Sequence, residues 1–210
     1  MQGPILHILQ DPRLGLDIEA SLVVSRIEQY LQLLLKWNQK INLTAEKDPK
    51  EILKKHVFDS LQYVRAIEPG FRMMDIGSGA GFPGILLKII FPQLQLVLLE
   101  SQRKRCSFLE TVVRDLEMEQ VKVFNARAED IPGDQAGPFD VVVFRAVSGV
   151  QQCLNMSTKF LPSGGMVVLK KSPGENQLGS HPEFSLQKEI AITSYHGVVS
   201  SLLVFEKCFT

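Results

Sequence analysis

Residues 75–84, Asp-Ile-Gly-Ser-Gly-Ala-Gly-Phe-Pro-Gly, constrain the fold more than any other stretch of the chain. Glycines stand at 77, 79, 81 and 84. Such a cluster costs chain entropy on folding, so it marks a place where backbone turns through positive φ or lies close to something without an intervening side chain. Residues 71–76 just before it form a short apolar run, and residues 84–91 just after it have helical texture. A strand, a glycine loop and a helix make the opening unit of a parallel sheet, whose carboxyl edge is where ligands bind.

The alternation continues down the chain. Apolar runs at 95–100, 121–125, 141–144 and 166–170 read as strands, and residues 103–116 and 152–161 between them read as helices. Two last runs, 190–195 and 202–207, are close enough in sequence to pair antiparallel at a sheet edge. The expected fold is α/β, a Rossmann-like, seven-stranded, mostly parallel sheet with an antiparallel edge pair at the end.

The first part of the chain has a different texture. Residues 1–69 read as a helical extension, and residues 70–210 as the α/β domain. Asp17 is a candidate cap for a helix with Ile27, Leu31 and Leu34 on one face. That helix should fail near residues 42–44. Asp48-Pro49-Lys50-Glu51 then restarts one: a capping aspartate, proline at the first helical position, and glutamate three residues after the cap. This second helix carries Ile52, Val57, Leu61 and Val64, and Glu68-Pro69-Gly70 ends it.

Global charge does not point to a polyanionic partner, because 23 basic residues balance 23 acidic ones. Cys106, Cys153 and Cys208 are far apart, with neither metal-ligand spacing nor a disulfide pattern, which suits a reducing compartment. No basic-then-apolar leader opens the sequence, and the longest apolar run, 85–91, is interrupted by Lys88. The expectation is a cytoplasmic protein with no membrane span and no metal.

Three ligands suit a glycine loop at a strand end. A phosphate-binding P-loop is excluded, because no Gly-Lys-Ser/Thr follows. Residues 79–84 do match G-x-G-x-x-G, and Glu100 stands about where a ribose partner is expected. The frame is awkward, however: the strand ends near Ile76, so the first tight-turn glycine is Gly77. Read from there, the motif is Asp75-x-Gly77-x-Gly79-x-Gly81, which resembles the S-adenosylmethionine loop of class I methyltransferases. A methionine ammonium needs an acceptor, and Asp75 supplies negative charge near the turn. Glu100 serves the ribose hydroxyls in either frame.

Further motifs narrow the resemblance. Lys36-Trp37-Asn38, Ile41-Asn42-Leu43-Thr44, Lys55-His56-Val57-Phe58-Asp59-Ser60 and the whole of 75–84 occur in order. Glu100-Ser101 with Lys104-Arg105, Arg127-Ala128-Glu129 and Phe144-Arg145-Ala146 follow. Together they resemble the bacterial small-subunit (16S) rRNA guanine-N7 methyltransferase family (RsmG, also called GidB), from about residue 34 to 171. The resemblance implies a class I fold and S-adenosyl-L-methionine as cofactor. It implies a 16S rRNA or small-subunit (30S) substrate, and 7-methylguanosine as the product nucleotide. It further implies cofactor contact at Gly77, Phe82, Glu100, Ala128, Glu129 and Arg145. Asp75, Gly79, Gly81 and Ser101 complete the candidate cofactor site. Lys170-Lys171-Ser172 departs from the lysine-glycine pattern of many members.

The remaining chemistry agrees with a ring-nitrogen target. The position after the fourth strand reads Phe144-Arg145-Ala146-Val147, without the Asp/Asn-Pro-Pro-aromatic loop of exocyclic-amine methyltransferases. Cys106 falls on a helical stripe with Leu109, Val113 and Leu116, where a core role suits it better than a nucleophilic one. Guanine N7 already carries a nucleophilic lone pair, so orientation and charge management suffice and no general base is named. Arg145 is the candidate for orienting substrate or cofactor. His56 reads as a core or interface histidine, Trp37 as a packing residue, and Asp59 and Ser60 as residues fixing the helical part to the rest. Residues 36–55 hold six lysines against Glu46, Asp48 and Glu51. With the family resemblance, Lys54, Lys55, Arg103, Lys104 and Arg105 are the candidate RNA contacts. The competing readings are a non-enzymatic ribosome-assembly factor on the same fold and a nicotinamide-dependent oxidoreductase.

Overall fold

Seven strands form one sheet in the order β3-β2-β1-β4-β5-β7-β6. The computed structural model describes residues 1–132, 137–145, 149–171 and 179–208. Ala146, Val147 and Ser172, named above as parts of motifs, lie outside the described residues. Strands β1 (Arg72–Ile76), β2 (Gln95–Glu100), β3 (Val121–Asn125), β4 (Val141–Phe144) and β5 (Met166–Lys170) run parallel. β7 (Val199–Lys207) inserts antiparallel between β5 and β6 (Phe184–Thr193). The central strands β1, β2 and β4 are almost continuously buried, as strands covered on both faces must be.

β6 is longer than expected, reaching back to Phe184. Its residues from Ser185 to Glu189 are exposed and mostly polar, so they carry no apolar alternation. An edge strand is held by one neighbour's backbone alone, and β7 provides that ladder across a register shift between Leu186 and Lys188. Apolar patterning therefore found only its far end.

Helices α1 (Gln2–Leu9) and α2 (Ala20–Asn38) precede a longer helical run, α3, covering 49–65. Asp17 does not cap α2. The cap position is Glu19, which makes no side-chain cap bond, and burial of Val23, Val24, Ile27, Tyr30, Leu31 and Leu34 fixes the helix instead. Asp48 does cap α3, its carboxylate accepting the Lys50 N–H at 2.9 Å, with Pro49 at the first helical position.

α3 is not one regular helix. It is α-helical over Pro49–Ile52 and Phe58–Leu61, π-helical between them over Leu53–Val57, and 3₁₀ over Gln62–Arg65. The buried pair Ile52 and Leu53 recurs as Val57 and Phe58 five residues on, a longer repeat than a regular α turn, and the wide π turn accommodates it. Helices α4 (Gly84–Ile90), α5 (Arg103–Asp115) and α6 (Val150–Ser157) follow β1, β2 and β4.

The core runs across the expected boundary at 69/70. One apolar cluster joins Ile5, Ile27, Leu31 and Phe58 of the helical part to Ile85, Phe108, Val143 and Val168 of the α/β part. A second cluster, with Met74, Leu99, Phe139 and Phe160, fills the other face of the sheet. Among the described residues, no helix is long and apolar enough to cross a membrane.

Candidate functional site

The loop after β1 sits at the carboxyl edge of the sheet and is held open by its glycines. Gly77, Gly79 and Gly81 have φ of 75°, 57° and 92°, a region L side chains avoid. The Gly77 and Ser78 N–H groups donate to Leu99 O of β2 at 2.8 and 3.2 Å, so the loop starts as an extension of the sheet ladder. The carboxylate at the end of β2 then fixes it. Glu100 is 4% exposed, with Oε2 accepting from Gly79 N–H at 3.0 Å and Oε1 from Gln102 N–H at 2.8 Å.

A cleft of about 470 Å³ opens over this loop. The α/β part lines it with Gly77, Ser78, Gly79, Ala80, Phe82, Glu100, Ser101, Gln102, Arg105 and Arg145. The helical part closes it with Leu43, Thr44, Ala45 and His56. Six of the ten expected cofactor residues thus face the cleft: Gly77, Gly79, Phe82, Glu100, Ser101 and Arg145.

The other four do not line it. Gly81 is packed against Ile85, which an added Cβ would meet at 2.5 Å. Asp75 is fully buried beneath the loop, where Oδ2 accepts the Gly84 N–H at 2.9 Å and Oδ1 has no partner. Burial pushes its carboxyl up to about 7, against the opposing pull of the Gly84 N–H and Arg145. This carboxylate occupies the amino end of α4, where the G-x-G-x-x-G frame needs a diphosphate, and that leaves the dinucleotide frame without its anion site. Ala128 is buried in the core, and Glu129 is exposed on a 3₁₀ turn, Ala128–Asp130, after β3.

Arg145 emerges from the end of β4 into the cleft. Its guanidinium lies 4.9 Å from the centre of the Phe82 ring and donates to His56 Nδ1 at 2.9 Å. Burial lowers its pKa, and among the described residues no carboxylate lies within ion-pair distance. His56 stacks on Phe82 with ring centres 5.1 Å apart and shares a 2.8 Å hydrogen bond between Nε2 and Thr44 Oγ1. It is a cleft residue, not only the core or interface histidine its helical face suggested.

Several site residues carried no sequence motif. Tyr30 of α2 donates to Ala80 O at 2.7 Å, and Tyr63 of α3 donates to Phe144 O at 2.6 Å. Both rings are fully buried, so two helices of the first part fix the backbone of the glycine loop and of the strand end before Arg145. A tyrosine within an otherwise apolar stripe was the available signal, since its hydroxyl needs a partner when buried. Asn38 builds the opposite wall, with Oδ1 accepting from the Leu43 and Thr44 N–H groups and Nδ2 donating to Glu46 O. Asp59 meets Lys170 at 2.6 Å across the two parts, whereas Ser60 only donates back to His56 O within α3. Trp37 packs edge-on against Phe108.

The candidate RNA contacts separate into three settings. Lys54 and Lys55 lie within 3.1 and 2.7 Å of Glu51 and Glu46. Arg105 turns into the cleft, 3.9 Å from Glu100. Arg103 and Lys104 stand exposed at the start of α5, and among the described residues neither has an ion-pair partner.

Residues 23–201 match the family model described as rRNA small subunit methyltransferase G (GidB). The chain is 41% identical over 164 residues to the ribosomal RNA small subunit methyltransferase G of Streptococcus pyogenes serotype M4, covering 75% of this chain and 69% of that relative. To the protein of the same name from Alkaliphilus oremlandii it is 39% identical over 171 residues, covering 79% and 72%. Among solved structures, a variant of MtNAS in complex with S-adenosylmethionine aligns with TM-score 0.60 at 15% identity, covering 98% of this chain and 88% of that one. The precorrin-6y C5,15-methyltransferase of Geobacter metallireducens aligns with TM-score 0.52 at 16% identity, covering 79% and 91%. These two share the fold. The family match spans both parts of the chain and every cleft residue described above, and the chain belongs to the rRNA small subunit methyltransferase G family.

Proposed function

We propose that this chain transfers a methyl group from S-adenosyl-L-methionine to N7 of one guanine in 16S rRNA, using the cleft between the β1–β2 edge and the 43–56 wall. The observation that carries the reading is the joint occupancy of one cleft by a side-chain-free glycine loop, a buried carboxylate and a guanidinium that has no carboxylate partner among the described residues. That set fits a nucleoside joined to an amino acid. Glu100 suits the ribose hydroxyls, the open backbone at 77–80 suits close approach, and Arg145 suits a carboxylate.

The cofactor, when bound, supplies an electrophilic methyl group on sulfur. The chain's own work is orientation. Guanine N7 attacks with its ring lone pair, so no residue need remove a proton, and a donor placed on N7 would block the attack. Arg145 therefore serves the cofactor carboxylate or guanine O6, not N7. Residues 1–69 act as the wall that closes the site, and residues 70–210 as the part that holds the cofactor. Arg103 and Lys104 are the phosphate contacts at the rim, with the assembled small subunit or a precursor of it in the cytoplasm as the partner.

Incubating the protein with methyl-labelled S-adenosylmethionine and either 30S subunits or free 16S rRNA, then mapping the label, tests this directly. One labelled guanine at N7 supports the reading. RNA binding without label in either substrate would favour an assembly factor instead.

A further inference from the structure

We propose that His56 is a positioning residue: held as its neutral Nε2–H tautomer by Thr44, it accepts a hydrogen bond from Arg145 and fixes that guanidinium for the reaction. The inference rests on the methyltransferase reading of the cleft and deepens it.

The proton assignment follows from the partners. Arginine has donors and no acceptor, so the 2.9 Å contact makes His56 Nδ1 the acceptor. The ring proton then resides on Nε2, which donates to Thr44 Oγ1 at 2.8 Å, and the same oxygen accepts the Glu46 N–H at 3.2 Å. Thr44 is itself held by Asn38, whose Oδ1 takes the Thr44 N–H at 3.0 Å. The chain of contacts runs from α2 through the 43–46 wall and α3 to the end of β4.

Two further observations agree. Phe82 stacks on His56 and also faces the Arg145 guanidinium, so both groups are held against one ring that lines the cleft. His56 lies within the π-helical turn, and an inserted turn of this kind re-aims side chains and recurs at functional sites. The surrounding charges are Arg145 from β4, Glu46 from the facing wall, and Lys55 and Asp59 from α3 itself. Burial, then Arg145, lowers the imidazole pKa to about 4, so it stays neutral and keeps Nδ1 available as an acceptor.

Two variants separate positioning from packing. His56→Phe keeps the stacked ring and removes both nitrogens. His56→Asn places an amide oxygen near the Nδ1 position and gives up the ring. Single-turnover methylation of 30S subunits at saturating cofactor, together with cofactor affinity by calorimetry, is the readout. His56→Phe should lose about tenfold or more in turnover, the loss expected for one bond to a charged group. His56→Asn should retain clearly more turnover than His56→Phe, because it keeps the charged bond to Arg145 and gives up the neutral Thr44 bond and the stacking on Phe82. Cofactor affinity should follow the same order with a smaller spread. Full turnover in His56→Phe, or a folded His56→Asn as impaired as His56→Phe, overturns the proposal. Should His56→Phe fail to fold, nitrogen NMR of the wild-type ring, assigned by its disappearance in His56→Asn, decides: a proton on Nδ1 overturns it, and one on Nε2 supports it. A wild-type enzyme that labels no RNA would sink the methyltransferase reading, while the tautomer measurement would still stand by itself.

Discussion

Asp75 Oδ2 accepts the Gly84 N–H at 2.9 Å, tying the end of β1 to the first residue of α4 beneath the glycine loop. A cofactor-facing role was expected of this carboxylate, but it is sealed from the cleft and shapes the loop from below. A Cβ on Gly84 would lie 2.7 Å from that oxygen and 2.8 Å from Leu98 Cδ2. Gly84→Ala should therefore destabilise the fold by about 1–3 kcal/mol, the usual range for overpacking. Urea denaturation checks it, and an unchanged midpoint would contradict the packing.

The three loop glycines should differ in cost. Each has positive φ, worth about 1–2 kcal/mol against any L side chain. An added Cβ on Gly79 meets nothing closer than 3.8 Å, whereas one on Gly81 runs into Ile85 at 2.5 Å and Leu109 at 3.2 Å. Gly81→Ala should lower Tm more than Gly79→Ala. Gly77→Ala should chiefly weaken cofactor binding, because Gly77 lines the cleft. Thermal melts and calorimetry on the three variants give the order.

Glu100 holds two backbone N–H groups through opposite oxygens, so it organises the loop as well as facing the cleft. Removing it should cost about tenfold or more in cofactor affinity, since bonds to a charged group contribute about 1.5–3 kcal/mol each. Glu100→Gln keeps one acceptor and should lose less than Glu100→Ala. Equal affinity in Glu100→Ala and wild type would show that the carboxylate takes no part.

Two groups, half-buried His56 and fully buried Asp75, should pull stability in opposite directions with pH. His56 is depressed from 6.5 to about 4, so its contribution is present above 6.5 and lost as pH falls through 4. Asp75 is raised from 3.8 to about 7, so its contribution is present below 3.8 and lost as pH rises through 7. Between these limits the two slopes oppose each other. His56→Asn should make the protein more tolerant of acid, and Asp75→Asn should remove the loss near neutrality. Tm recorded from about pH 4 to about pH 8 in each variant shows whether the slopes separate.

The basic clusters should not contribute equally to RNA binding. Lys54 and Lys55 are shared with Glu51 and Glu46, while Arg103 and Lys104 stand exposed without an ion-pair partner among the described residues. They also begin a helix whose dipole disfavours positive charge, a cost that a bound phosphate would offset. Replacing Arg103 and Lys104 with alanine should flatten the salt dependence of 30S binding by about one unit of slope per contact, and replacing Lys54 and Lys55 by less. Matching slopes in both double variants would refute this division.

Much of this protein is determined locally, and the sequence carries that part on its face. Buried parallel strands need apolar runs, turns through positive φ need glycine, and a helix start needs a cap. The strands from β1 to β5, the loop at 77–84 and the Asp48-Pro49 restart were therefore legible. So were Glu100 and Arg145, because each stands at a strand end that the topology sends to the ligand edge. Only the tertiary structure decided the rest. Asp75 and Glu100 are both acids at ends of adjacent strands, yet one is sealed under the loop and the other lines the cleft. Arg105 turned inward while Arg103 and Lys104 stayed out, because a helix gives consecutive residues different faces. Tyr30, Thr44, His56 and Tyr63 became site residues through contacts made 12 to 89 positions away along the chain. No local pattern encodes such pairings, since they exist only once the helical wall docks on the sheet and burial forces each polar atom to find a partner.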